Sequence, residues 1–333
     1  MSNSRQLKPS FEKVNYLLRP RKQIERKIII ELLRLIQDID KYNYIGLGSI
    51  FYYDFILFHK LLNINKMISL DDKTANKRFK FNLPYDFIKF INKRTTDFFS
   101  IYKLKSKTII WLDYDIPIFK NHDRNNTIFR DIDLVCRNLK SPIILILTID
   151  VKNIADFNEI KAFFDEFNCY IPDKLKTDII KRIPREFNLH YDKIVQNIIL
   201  NYFDEIQKLD TNKFSKLFSF CYEDSRPMFT LGGVLGVKND ADDIIKLVKT
   251  NEFYNTDYDN ITSIDVPNLT YKEKIYIDEN ISFLNGCLEK AKKNKRKQNK
   301  VLNDLGFELS SIDSLRAYLR FCRYYPQYYE GII

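Results

Sequence analysis

The sequence predicts an α/β fold built on a mostly parallel sheet, and three observations support this prediction. Short apolar runs alternate with segments of helical length between residues 27 and 150, and a pair of parallel strands needs such a crossover. The runs are continuously apolar, as in a sheet covered on both faces. Two later runs, 216–222 and 228–237, flank a turn at 223–227. They predict an antiparallel hairpin that completes the sheet.

The first half of the chain supplies the parallel strands in order. Five apolar runs are predicted as strands: 42–47, 66–70, 87–91, 108–112 and 142–149. Between and before them, the apolar spacing predicts helices over 27–40, 50–62 and 127–139.

These patterns divide the chain into five segments. They are an N-terminal extension (1–26), a sheet-forming part (27–150), a helical insertion or cap (151–212), the hairpin (213–240) and a helical C-terminal region (241–333). The first segment is polar and basic, which is unlike a secretory signal. The longest apolar stretches fall short of the roughly 20 residues that span a membrane. We therefore expect a cytoplasmic protein that does not enter a membrane.

The cysteines and histidines predict no metal site. The five cysteines are scattered without a CxxC pair, and there are three histidines. This pattern is typical of free thiols in a reducing compartment and lacks the spacing of zinc ligands.

The formal net charge of +10 is concentrated in one place. Seven basic residues and no acidic residue lie between Lys290 and Lys300. One interpretation is an anionic partner, such as nucleic acid or a phosphorylated substrate. The other is a solvated helix face, which is the more common role of such a run. The sequence gives no indication of the oligomeric state.

The most informative motif lies between residues 42 and 72. A predicted strand ends in Gly46-Leu47-Gly48, a predicted helix follows, and the next strand ends at Asp71, 23 residues after Gly48. Glycines in such a turn let a ligand approach the backbone, since no Cβ is in the way. An acid at the end of the second strand can accept hydrogen bonds from ribose hydroxyls.

At these residues the chain resembles the class I S-adenosylmethionine-dependent methyltransferases, which have a Rossmann-like fold. The resemblance implies that S-adenosylmethionine is the cofactor and that Gly46 and Gly48 contact its methionine part. It places Asp71 at the ribose, with Asp72 as the less favoured choice, and Asp97 near the adenine.

The same resemblance places the end of the fourth strand beside the reacting methyl group. Asp113 and Asp115 stand there, on either side of Tyr114. If the strand continues through them, both carboxylates point to one face and Tyr114 to the other. The two acids would then orient a nucleophile or accept its proton. A metal site would need more oxygen ligands than this segment supplies. His122 is a less favoured candidate for a general base.

Two functions follow from these observations. The first is a methyltransferase that acts on an oxygen or nitrogen atom of an unidentified substrate. The alternative is a non-catalytic Rossmann-like module that binds a nucleotide or a partner. Tyr44 and Ile50 replace an acid and a glycine of the family pattern, which favours the module, whereas the acids at 113 and 115 favour the enzyme.

Each candidate residue also has a purely structural interpretation. The glycines can serve only to shape a tight turn, and aspartates after strands often cap helices. The acids at the end of the fourth strand can be merely solvated. No P-loop, GxSxG or HExxH motif indicates a competing chemistry.

Overall fold

A computed structural model of the chain describes residues 19–72, 76–118, 127–151, 162, 164–166, 177, 191–208, 211–223, 225–291 and 294–327. All structural statements below concern these residues.

The fold is an α/β fold with one mixed sheet, as the sequence predicts. The strands are β1 (Asn43–Leu47), β2 (Met67–Asp71), β3 (Ile88–Asn92), β4 (Thr108–Pro117), β5 (Ile143–Asp150), β6 (Asn212–Glu223), β7 (Pro227–Val237) and β8 (Thr262–Ser263). In the described part of the chain they form an eight-stranded sheet in the order β3-β2-β1-β4-β5-β7-β6-β8. The first five strands pair in parallel, and β7 is antiparallel to β5. The predicted hairpin, β6 and β7, therefore joins the sheet beside β5, and the two-residue strand β8 lies beyond it at the edge.

The helices connect the strands and form the C-terminal region. They are α1 (Pro20–Arg34), α2 (Tyr53–Leu62), α3 (Asn76–Phe81), α4 (Thr95–Phe99), α5 (Thr127–Arg137), α6 (Tyr191–Ile206), α7 (Lys238–Val248), α8 (Tyr271–Glu279), α9 (Ile281–Lys290), α10 (Lys295–Asn303) and α11 (Ile312–Phe321). Of the predicted helical insertion, α6 is described, and most of the remainder lies outside the described residues.

The first helix and the fourth strand have other boundaries than those predicted. The first helix begins at Pro20 rather than at residue 27, which agrees with the preference of proline for the first helical turn. It ends at Arg34 rather than at residue 40, and Asp38 adopts the left-handed conformation (φ 56°), which a continuing helix cannot contain. The fourth strand continues five residues beyond its predicted end, to Pro117.

The chain divides into two compact units. The first contains Ile29–Cys221 and Ser225–Thr262, and the second is built mainly from Ser263–Ile333. The five-segment division from the sequence is finer than this and stays a prediction.

In the first unit, apolar side chains cover both faces of the sheet. One face carries an aromatic cluster in which the Tyr44 ring lies 4.9 Å from Phe55 and 4.5 Å from Phe58, and Phe58 lies 5.9 Å from Trp111. The other face packs against α4, α5 and α6. All eight residues of β5 are buried, which explains why the sequence shows a continuous apolar run there.

In the second unit, polar contacts fix the helix ends. A capping box begins α8: the Thr270 hydroxyl accepts a hydrogen bond from the Glu273 N–H (3.3 Å), and the Glu273 carboxylate accepts one from the Thr270 N–H (2.8 Å). The Tyr318 hydroxyl of α11 donates to Asp278 of α8 at 2.6 Å.

Among the described helices of the whole chain, none is both long enough and apolar enough to cross a membrane.

Two glycines give a matched test of the packing. A Cβ on Gly232 of β7 would lie 2.1 Å from the Phe218 ring, whereas a Cβ on Gly286 of α9 would have no atom within 4 Å. We expect Gly232→Ala to destabilise the protein by about 1–3 kcal/mol, because the ring must move in a packed core. Gly286→Ala should stabilise it by about 0.5–1 kcal/mol, because alanine favours a helix interior. Urea unfolding measures both, and equal effects of the two changes would contradict the packing described here.

Candidate functional site

The register of the three central strands brings the predicted site residues to one edge. Gly46 of β1 lies between Ser69 of β2 and Trp111 of β4 in the parallel ladders. Each of these three positions is followed, two residues later, by a predicted site residue: Gly48 after Gly46, Asp71 after Ser69, and Asp113 after Trp111. Because the strands are parallel, all three reach the carboxyl edge of the sheet at the same level. In open α/β sheets this edge is where ligands bind.

The two predicted turn glycines occupy different environments. Gly46 lies inside β1 rather than in the turn, and a Cβ there would be 2.5 Å from the Tyr44 hydroxyl oxygen. The packing of Tyr44 therefore accounts for a glycine at this position. Gly48 lies beyond the strand, and its N–H donates to the Leu70 carbonyl at 2.8 Å. A Cβ on Gly48 would lie 2.4 Å from the Ser69 hydroxyl oxygen, so a larger residue requires that side chain to move.

Tyr52, at the end of this turn, was missed by sequence reasoning. It is buried, it precedes α2, and its φ of 48° is uncommon for a tyrosine. Its hydroxyl donates to the Phe79 carbonyl at 3.0 Å. Burial raises the pKa of Tyr52 to about 12, and the nearby Asp71 carboxylate adds to the increase. The strained residue and the predicted ribose acid are thus neighbours, and no sequence pattern indicates a left-handed tyrosine.

The two acids at the end of β2, Asp71 and Asp72, lie in different environments. Asp71 is the last residue of the strand, half-buried, and in register with Asn92 of β3. Asp72 is exposed and forms an ion pair with Arg94 at 3.6 Å. Because Asp71 ends the strand at the carboxyl edge, it is the better placed of the two to accept hydrogen bonds from a ligand there.

Asp97 lies in the first turn of α4 and is exposed. The N-cap position of this helix is held by Arg94, so Asp97 does not cap it. Its position after β3 agrees with the place that the resemblance gives to the adenine-side residue.

At the end of β4, Asp113 and Tyr114 point to opposite faces of the sheet. Asp113 is half-buried, shares a face with Trp111, and is in register with Thr148 of β5. The Tyr114 hydroxyl donates to Asp131 at 2.7 Å, so Tyr114 points to the face opposite Asp113, as predicted. The ladder shifts register between Tyr114 and Pro117. The side chain of Asp115 lies outside the described residues, and so does His122.

A further acid at this edge was missed. Asp150 ends β5, its side chain is buried, and it forms an ion pair with the half-exposed Arg226 at 3.1 Å. It lies two residues beyond Thr148, on the face that carries Asp113. Beneath them the Trp111 indole N–H donates to Thr148 at 3.0 Å, and the Thr148 and Thr230 hydroxyls lie 2.9 Å apart. The signal available in the sequence was an acid directly after an apolar run.

Asp131 of α5 is a buried carboxyl group behind the site. Burial raises its pKa to about 7, and Asp97 adds to the increase, whereas Thr95, Tyr114 and Arg130 act against it. Oδ2 accepts the Tyr114 hydrogen bond, while Oδ1 is buried without a hydrogen-bond partner. This cluster connects the start of α4 to β4 and α5.

Two further observations bear on other sites. Among the described residues, no group of three or more histidine, cysteine, aspartate or glutamate side chains is placed to hold a metal ion. A cavity of about 470 Å³ borders Asn43 and Thr108, the first residues of β1 and β4. It therefore lies at the amino edge of the sheet, away from the predicted site.

Comparison with known proteins gives one family and several structures. A family model described as "Putative O-methyltransferase" matches residues 14–333. No curated protein sequence matches the chain. A similar solved structure is Trm1 from Pyrococcus horikoshii with S-adenosyl-L-methionine: 13% identity, a TM-score of 0.41, and coverage of 68% of this chain and 58% of that chain.

Two further structures contain S-adenosylhomocysteine. The N-methyltransferase NodS from Bradyrhizobium japonicum WM9 has 11% identity and a TM-score of 0.35, covering 64% of this chain and 87% of that chain. The plantazolicin methyltransferase BpumL has 8% identity and a TM-score of 0.39, covering 65% and 86%.

The buried carboxyl group predicts a specific pH dependence of stability. The pKa of Asp131 is about 7 in the folded protein and near 4 when unfolded. Between these values the folded state holds a proton that the unfolded state has lost, so the free energy of unfolding falls as the pH rises from about 4 to 7. We expect Asp131→Asn to remove this dependence. The variant should gain stability relative to the wild type with increasing pH, by roughly 1 kcal/mol per pH unit.

Urea unfolding at pH 5, 6, 7 and 8 measures the difference. Asp133→Asn, on the same helix but ion-paired with Arg137 at 2.9 Å and partly exposed, is the control. A stability difference between wild type and Asp131→Asn that stays constant with pH would contradict the assignment.

Proposed function

Because the chain belongs to the O-methyltransferase family whose model it matches, we propose that it transfers a methyl group to an oxygen atom of its substrate. S-adenosylmethionine is the cofactor of this family. The resemblance to class I Rossmann-like methyltransferases is confirmed by the family match. The observation that carries the proposal is the common level of Gly48, Asp71 and Asp113 at the carboxyl edge.

The residues at the edge fit this cofactor by their chemistry. The backbone of the Gly48 turn would lie against the methionine part. The Asp71 carboxylate would accept hydrogen bonds from the two ribose hydroxyls, and Asp97 would lie on the adenine side. When bound, the cofactor supplies an electrophilic methyl group on a positively charged sulfur.

Asp113 is the residue that we assign to the nucleophile. A substrate hydroxyl that donates a hydrogen bond to its carboxylate is held in one orientation, and orientation supplies much of the catalysis in a transfer of this kind. The carboxylate would take up the proton that the substrate oxygen loses as it receives the methyl group, whose bond to sulfur would break to leave S-adenosylhomocysteine. Asp150 is less suited to this role, since its side chain is fully buried. Asp115 remains the second candidate for the same role.

Removal of the ribose acid tests the cofactor assignment. We expect Asp71→Ala to weaken S-adenosylmethionine binding by about 1.5–3 kcal/mol, the scale of hydrogen bonds to a charged group. Calorimetric titration with S-adenosylmethionine, S-adenosylhomocysteine and NAD measures it. Asp72→Ala is the matched control and should bind like the wild type. If Asp71→Ala also binds like the wild type, the ribose assignment is wrong.

Removal of the proton acceptor tests the catalytic assignment. We expect Asp113→Asn to lower the rate of transfer by about 10²-fold or more, the range of general-base contributions, and to leave cofactor affinity within about twofold. The measurement is transfer of labelled methyl from S-adenosylmethionine, on substrates found by screening nucleic acids and small molecules. Asp115→Asn is measured beside it, and Asp133→Asn is the control.

The outcomes separate the enzyme from the non-catalytic module. Full turnover by both Asp113→Asn and Asp115→Asn would overturn the catalytic assignment. A wild-type protein that binds the cofactor but methylates none of the screened substrates would favour the module.

A further inference from the structure

The positive charge of this protein is a local property. Seven of the ten net positive charges lie in residues 290–300, which leaves a net charge of +3 for the remainder of the chain. Within this run, α10 contains Lys295, Arg296, Lys297 and Lys300 in less than two helical turns. No residue of α10 is buried, and these four are exposed.

The charges of α10 are not neutralised by neighbouring acids. No described acidic side chain forms an ion pair with any of the four basic residues or with Lys290 at the end of α9. The helix is nevertheless well formed, since the Asn294 side chain caps it by accepting a hydrogen bond from the Lys297 N–H at 3.1 Å. The basic side chains of α10 therefore form a dense positive surface that no acid among the described residues pairs with.

An exposed aromatic side chain belongs to the adjoining helix. Phe283 of α9 is 67% exposed, whereas Leu284 and Leu288 hold the helix against its neighbours. Phe283, Gly286 and Lys290 are spaced as i, i+3 and i+7, so they share one face. A Cβ on Gly286 would meet no atom within 4 Å. The face beside the ring is therefore open, and α9 and α10 are in contact.

We propose that the outer surface of α9 and α10 binds single-stranded nucleic acid. The basic side chains of α10 would contact successive phosphates, and Phe283 would stack on an unpaired base. Proteins that bind single strands combine these two elements, a positive surface along the backbone and an aromatic platform for bases. This binding goes beyond methyl transfer and does not require it.

The chemistry of the surface disfavours two other polyanions. A duplex keeps its bases stacked inside, so it offers nothing for an exposed ring to stack on. A helix that lies on a membrane needs a continuous apolar face. On α10 the only aliphatic residues besides the lysine stems are Val301 and Leu302, and both are already half-buried.

The test is fluorescence anisotropy with a labelled single-stranded RNA of about 20 nucleotides, on the full chain without cofactor, over a range of salt concentrations. A variant with Lys295→Gln, Arg296→Gln, Lys297→Gln and Lys300→Gln should bind at least about tenfold more weakly. Its slope of log Kd against log salt should be smaller by about 3, since each phosphate contact on a single strand contributes about 0.7. Phe283→Ala should weaken binding by about fivefold or more, the effect of losing one stacked base.

The matched control removes four exposed lysines of the first unit: Lys60→Gln, Lys66→Gln, Lys238→Gln and Lys249→Gln. It changes the net charge equally and should bind like the wild type apart from a small general effect. Unfolding midpoints check that all variants are folded. Equal weakening by the two quadruple variants would overturn the proposal. So would an unchanged affinity of Phe283→Ala, a preference for duplex DNA, or binding to vesicles with about 30% phosphatidylserine in place of RNA. Because cofactor is absent, the result is independent of whether Asp71 and Asp113 have their proposed roles.

Discussion

The parallel pairing of β1 with β2 on one side and β4 on the other is the constraint on which the candidate site depends. The side-chain direction in a strand alternates with a period of two, so a slip of one residue in either ladder would move every side chain of that strand to the opposite face. With the register Ser69–Gly46–Trp111, Asp71 and Asp113 continue the face that already carries the aromatic cluster. Leu70 and Leu112 lie on the other face, which packs against α4, α5 and α6. The site is thus positioned by backbone hydrogen bonds and by the burial of apolar side chains several residues away from it.

Aromatic packing accounts for three of the four glycines in the described strands; at the fourth, Gly236, a Cβ would lie 2.9 Å from Pro142. The chain contains 47 tyrosine and phenylalanine residues and only eight glycines. Cβ atoms on Gly46, Gly232 and Gly233 would lie within 2.5 Å of ring or hydroxyl atoms of Tyr44, Phe218 and Phe214. These glycines make room for rings of the protein itself. In a chain of this composition, a glycine of a Gly-x-Gly pattern either makes room for an aromatic ring or shapes a turn. Here only Gly48 lies in the turn between the strand and the helix.

The fold could be predicted from the sequence because its signals are local. The central strands β1, β4 and β5 contain continuous apolar runs, and the opposite directions of Asp113 and Tyr114 follow from the period of the strand alone. What the sequence did not reveal depends on contacts between distant residues. Arg226 reaches Asp150 across 76 positions and Tyr114 reaches Asp131 across 17. The left-handed backbone of Tyr52 has no local signal. The beginning of the first helix was misplaced because its first turn is basic and carries little apolar periodicity.

Three acids near the carboxyl edge differ in environment, and the difference bears on their chemistry. Asp131 is fully buried, and its raised pKa of about 7 means that it carries a proton for part of the time at neutral pH. Its hydrogen bond with Tyr114 then serves to hold β4 against α5. Asp150 is also buried, but its charge is balanced by Arg226, which gives it a structural task at the end of β5. Asp113 is only half-buried. It lies beside the hydrogen-bonded side chains of Trp111, Thr148 and Thr230, on the solvent side of them. A group that must meet a substrate and take up a proton has to be reachable and close to its ordinary protonation state. Of the acids whose side chains the structure describes on β4, β5 and α5 at this edge, Asp113 meets the first requirement best. The two buried acids hold the strand and helix that position it.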